Sequence, residues 1–170
     1  MKYLSILTLI IFSSIAYAST EHANDNKYSK NFNKMKSLQG NWKGMINSGD
    51  KKMAIKVNYK IFSAGSSLVE TYFVGEPHEM VTVYTDDKGK INMTHYCSMQ
   101  NQPSMKLHES DKDTFEFNYV SGTNMDVSKD AHMHNLVLKF INKNTIEQQW
   151  TQFKDGKKAG TNTFKLSRVN

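Results

Sequence analysis

From Leu38 onward the chain alternates apolar and polar residues one by one, in short runs closed by turn signals. The clearest run sets Met53, Ile55, Val57, Tyr59 and Ile61 against Lys56, Asn58 and Lys60. Successive side chains of a strand point to opposite faces, so this period builds half-buried β-strands and no amphipathic helix. Ten such runs are predicted: 38–47, 52–62, 67–74, 78–85, 90–99, 105–108, 113–120, 131–141, 145–153 and 161–169. Between them stand turn-forming stretches such as Ser63-Ala64-Gly65-Ser66, Asp86-Asp87-Lys88-Gly89, Asn142-Lys143-Asn144 and Lys154-Asp155-Gly156-Lys157. One or two helical turns are expected over 29–37, where Phe32 and Met35 stand three apart.

Short connections make successive strands antiparallel neighbours. An up-and-down sheet of this width curls and closes, because closure removes its two unpaired edges. The modest apolar fraction, 38%, favours one barrel with a partly polar lumen over a thick two-layer sandwich. The expected fold is therefore all-β: an antiparallel up-and-down barrel of about ten strands with a short N-terminal helix.

Residues 1–18 have the pattern of a secretory signal. Lys2 supplies the charge, Leu4 to Ile15 the apolar stretch, and Ala16-Tyr17-Ala18 a small-x-small cleavage site. A flexible leader is expected over 19–31 and a single domain over 32–170, in a protein exported to a periplasm or secreted. After cleavage no integral membrane segment is expected, since the apolar run is too short to span a bilayer. The net charge of +6 comes from scattered lysines, and Arg168 is the sole arginine. Without a basic stripe interleaved with aromatics, nucleic acid is not an expected partner. Cys97 is the only cysteine, so no internal disulfide supports the fold.

Gly40-x-Trp42 on the first strand and Arg168 at the end of the last resemble the calycin-type barrels, the lipocalins and fatty-acid-binding proteins. A closer resemblance, over about residues 38–169, is to small exported bacterial lipocalin-like domains of uncharacterised function. It is carried by the stretches PHEMVTVYTDD, THYCSMQNQP, GTNMDVSKDAHMH and WTQFKDGK. The resemblance implies a ligand-holding barrel whose base is closed by Trp42 stacked on Arg168, and it implies no established chemistry. The haem-binding nitrobindins share the Gly40-Asn41-Trp42-Lys43-Gly44 start, but their histidine context near the C-terminus is absent here.

Two i, i+2 pairs carry the candidate chemistry: His95 and Cys97 in THYC, and His132 and His134 in AHMHN. On strands, each pair shares one face. His132 and His134 are expected in line with Leu136, Leu138 and Phe140, and His95 and Cys97 in line with Ile91 and Met93, all turned inward. His78 is expected to open the fourth strand and join the same wall. Three readings follow. In one, Glu70, Tyr72, His78, His95, Cys97, Tyr119, His132, His134 and Gln148 contact a small-molecule ligand in the lumen. In another, His95, Cys97, His132 and His134, with methionines nearby, hold zinc or copper, on which a metal- or thiol-dependent enzyme could be built. In the third, these groups satisfy one another and fill the barrel. No serine-nucleophile motif, phosphate-cradling loop or cofactor fingerprint is present, so no catalytic residue is assigned.

Overall fold

The computed structural model describes residues 27–169. The proposed signal segment, most of the leader and His22 lie outside the described residues. Ten strands follow one seven-residue helix: α1 (Lys30–Lys36), β1 (Gly40–Ser48), β2 (Lys51–Phe62), β3 (Ser67–Tyr72), β4 (Met80–Asp87) and β5 (Lys90–Tyr96). The remainder are β6 (Gln102–Ser110), β7 (Thr114–Thr123), β8 (His132–Asn142), β9 (Thr145–Lys154) and β10 (Lys157–Arg168). Each pairs antiparallel with its neighbours in sequence, and β1 pairs with β10 to close the barrel.

The expected meander is thus the observed one, with shifted boundaries. The sixth strand is nine residues rather than four and includes Pro103, one position beyond the last β5–β6 pair, Thr94–Ser104. A bulge between Leu107 and Glu109 breaks its alternation toward the base, and Pro103 makes its start read as a turn, which is why only its middle reads as a strand. β3 stops at Tyr72 and β4 starts at Met80, because Phe73 adopts a left-handed φ of 58° and turns the chain aside. α1 begins inside the segment expected as leader, capped by the Ser29 hydroxyl, which accepts from the Phe32 N–H.

The base of the barrel is sealed. Phe32 and Met35 are fully buried, and Ser29 donates from its N–H and hydroxyl to the two Asp86 carboxylate oxygens, at 2.8 and 3.0 Å. The Trp42 indole N–H donates to the Leu38 carbonyl at 2.8 Å. The Arg168 guanidinium lies 4.4 Å from the Trp42 ring centroid and donates to the Gln39 and Ser37 carbonyls at 2.6 and 2.8 Å. The Trp–Arg closure implied by the resemblance is present. Gly44 permits the β1–β10 seam, since a Cβ there would run into the Lys165 carbonyl oxygen.

Inward rows from every strand fill the barrel, among them Ile55, Val57, Leu68, Ile91, Met93, Met105, Phe115, Phe117, Leu136, Leu138 and Leu166. The opposite end, the mouth, carries the segments 73–79, 97–101 and 124–131.

Candidate functional site

The polar residues of the middle layer form one network. Glu70, on β3, is fully buried. It accepts from the Tyr84 hydroxyl at 2.7 Å and from the Gln148 amide at 2.6 Å. That same amide donates to the Tyr59 hydroxyl at 2.7 Å. The Gln148 carbonyl accepts from the Tyr72 hydroxyl at 3.1 Å and the Trp150 indole at 3.2 Å. Buried polar groups cost free energy unless paired, and here the pairing is complete across four strands, β2, β3, β4 and β9. Burial pushes the Glu70 carboxyl above its ordinary range, partly offset by the surrounding hydroxyls and amide. It also raises Tyr59, Tyr72 and Tyr84 well above the usual phenol value. Of the predicted ligand contacts, Glu70, Tyr72 and Gln148 are therefore brought together, and they satisfy one another.

One layer nearer the mouth the accounting is incomplete. His95, on β5, is buried; its Nδ1 hydrogen-bonds the Thr82 hydroxyl at 2.8 Å. Its ring packs 4.8 Å from Trp150 and edge-on to Tyr72. Among the described residues its Nε2 has no partner. Burial lowers its pKa from 6.5 to about 4, so the ring is neutral near pH 7. Asn101, just before β6, is also buried. Its amide donates to the Ala131 carbonyl at 2.8 Å, which fixes the side chain's orientation and leaves Oδ1 without a partner among the described residues. Alternation from Met105 and Pro103 puts Asn101 in the inward row, as alternation from Met93 does His95.

Cys97 lies past the end of β5, in a turn where its N–H donates to the Asn101 carbonyl at 3.1 Å. It is buried, its thiol pKa is raised by that burial, and its Sγ lies 3.9 Å from Met80 Sδ. The expectation of a continuous strand through Cys97 to Met99 is corrected: the Gln100 N–H donates to the Cys97 carbonyl, and Gln100 takes a positive φ of 63°.

The second histidine pair is arranged differently from the expectation. A bulge between Met133 and Asn135 inserts one residue opposite β9, which breaks the alternation that would align both histidines with Leu136 and Leu138. His132 is fully buried, its Nδ1 2.8 Å from the Asp130 carbonyl and its Nε2 2.9 Å from His134 Nδ1. The carbonyl can only accept, so His132 carries its proton on Nδ1 and its Nε2 accepts from His134 Nδ1–H. His134, half-buried, is stacked between Tyr119 at 4.9 Å and Phe153 at 3.9 Å. Desolvation and the neighbouring His132 lower its pKa.

His78 does not open β4. It lies exposed in the 73–79 segment, its ring 4.3 Å from that of Phe73, on the rim of an outer groove and away from His95. Among the described residues no group of three or more His, Cys, Asp or Glu is gathered as a metal would need. The two mouth loops do meet: the Asn124 amide donates to the Gln100 carbonyl, and the Thr123 hydroxyl to Gln102 Oε1 at 2.9 Å. Residue order does not mark Thr82 or Trp150 as site residues, and it offers Asn101 only as part of a loop at the rim of the mouth. Only Asn101 left a sequence signal, its place in the NQP turn beside THYC.

No family model and no curated protein matches the chain. Solved structures that resemble it include a protein of unknown function of the DUF3598 family from Nostoc punctiforme, 13% identical, with a TM-score of 0.42. That match covers 79% of this chain and 48% of the other, so the chain spans about half the length of that neighbour. Another is a redesigned β-barrel, 14% identical, with a TM-score of 0.38, covering 79% of this chain and 94% of that one. Likenesses at these values decide nothing about the site. Among the described residues no helix is long and apolar enough to cross a membrane.

Proposed function

We propose that this chain is an exported barrel that holds a small polar molecule in the upper lumen, between β5 and β6. The observation that carries the reading is the pair of buried, unpartnered atoms on neighbouring inward rows, His95 Nε2 and Asn101 Oδ1. Each orphaned buried group costs about 1–3 kcal/mol, and a bound partner recovers that cost. Asn101 Oδ1 can only accept, so the ligand presents an N–H or O–H to it. The neutral His95 ring offers a hydrogen bond without charge, which favours an uncharged or amide-like group over a bare anion. Trp150 and Tyr72 supply flat apolar walls beside it.

Native mass spectrometry of protein taken directly from the exported fraction tests this. A retained small mass is expected in the wild type and is lost in His95→Ala and Asn101→Ala. Wild type without any adduct, together with both variants more stable than wild type, would refute it.

A second reading rests on the 3.9 Å between Cys97 Sγ and Met80 Sδ. Two sulfur ligands at about 2.3 Å from one tetrahedral ion stand close to this far apart. In this reading Cys97, Met80 and His95 Nε2 hold a soft ion such as Cu(I), for which thiolate and thioether are suited. Elemental analysis of untagged protein separates the readings: stoichiometric copper or zinc, lost in Cys97→Ser, supports the metal. Cys97 that resists alkylation until denaturation, with no metal present, rules it out.

A further inference from the structure

We infer that the outer wall of β1–β2 carries a second site, distinct from the lumen, for a single-chain amphiphile with an anionic head. β2 has twelve residues and β3 six, and β2–β3 pairing stops at Val57–Tyr72. The upper half of β2 is thus left without a β3 partner. The chain turns away at Phe73 and folds back, with the Val74 N–H donating to the Lys56 carbonyl at 3.3 Å. Between this returning segment and the wall lies a groove of about 720 Å³, within the usual range for a small-ligand site.

Its floor is the outward cross-strand pair Met45–Ala54, with Val74 beside it and Met53, from the inward row, only at its upper rim. Met45 and Val74 are 42% and 38% exposed, apolar side chains left open to water on either side of the groove. The returning segment is internally braced: Gly75 N–H donates to the Glu79 carboxylate at 2.8 Å and Glu76 N–H to the Phe73 carbonyl at 2.8 Å. The groove therefore has a fixed far wall.

The charge at its lower end decides the ligand class. Lys43 and Lys56 are direct register partners on the outer face, and like charges set opposite each other on a sheet repel. Neither is among the ion pairs of the described residues. The carboxylate of Glu79 is taken up by Gly75, and Glu76 lies across the groove on the returning segment. An anionic head seated between Lys43 and Lys56 relieves their repulsion, while its chain covers Met45, Ala54 and Val74. A cationic or neutral amphiphile gains only the second of these terms.

The test titrates full-chain protein with monomeric dodecanoate, followed by calorimetry and by amide chemical shifts. The expected result is 1:1 binding with shifts centred on Met45, Ala54 and Val74, and at least tenfold weaker binding of dodecyltrimethylammonium. Lys43→Gln with Lys56→Gln weakens dodecanoate at least tenfold, Ala54→Trp abolishes it, and Lys106→Gln with Lys157→Gln leaves it unchanged. The chemical shifts on wild type stand even if a variant fails to fold. Shifts centred on the lumen, equal binding of the cation, or binding to anionic vesicles without binding of the monomer would each overturn the inference.

Discussion

The two ends of the barrel use the same kinds of residue to opposite effect. At the base the closing groups are paired: Ser29 on Asp86, Trp42 on Leu38, Arg168 on three carbonyls and a ring, with the Tyr28 hydroxyl left buried there without a partner among the described residues. Positive φ occurs at both ends, at Ser63, Ala64 and Lys88 by the base and at Phe73, Gln100 and Asn124 by the mouth. What sets the mouth apart is that the inward side chains His95 and Asn101 are buried with Nε2 and Oδ1 unpartnered among the described residues. Unpaired polar atoms on inward side chains are tolerated where a stable frame over-determines them, and they concentrate at functional sites. The base supplies that frame.

Substitutions can sharpen or break this contrast. The largest effect is expected from Trp42→Ala, which empties a fully buried site and strips Arg168 of its ring; a loss of about 3–5 kcal/mol should appear in chemical denaturation. A smaller loss than about 1 kcal/mol would show that the base is not the frame.

Next comes acid. The His95 pKa lies at about 4 in the fold against 6.5 for the free side chain. The unfolded chain therefore binds the proton first, and stability falls as pH drops from 6.5 toward 4, by about 3 kcal/mol from this residue. Glu70, with its carboxyl pKa raised by burial, acts in the opposite direction, losing stability as pH rises through the ordinary carboxylate range. It is present in both wild type and His95→Gln, so the difference between their pH–stability curves isolates His95. Parallel curves would mean that the histidine is solvated and the upper chamber open.

Ser29→Ala removes the cap of α1 and its bond to Asp86 and should cost about 1 kcal/mol, read as a shift in the denaturation midpoint. The smallest effect belongs to the mouth. Asn101→Ala loses one bond to Ala131 but also removes an unsatisfied acceptor, so its stability should stay within about 1 kcal/mol of wild type. A cost as large as that of Trp42→Ala would erase the distinction between the two ends.

Much of this was legible from residue order. Alternation located all ten strands, because a half-buried strand must present its residues with period two. The Gly-Trp start and terminal Arg168 pointed to the closed base. The site was legible only in part. THYC was read as one extended face, yet the strand ends at Tyr96 and Cys97 turns. AHMHN was read as a strict i, i+2 pair, yet a bulge lets the two imidazoles bond each other. Bulges and turns depend on which neighbour a strand meets, and period-two reading has no access to that.

What the sequence determined by itself was a meander long enough to close and a polar minority placed among its inward positions. Only the tertiary structure decided which of those polar groups would find partners. Glu70, Tyr59, Tyr84 and Gln148 meet because their strands stand across a lumen narrow enough for side chains to touch. His95 and Asn101 keep a free atom each because the Thr82 hydroxyl and the Ala131 carbonyl commit their other atoms elsewhere. Pairing of buried polar groups is a matter of ångströms between residues distant in the chain, and that distance is set by closure.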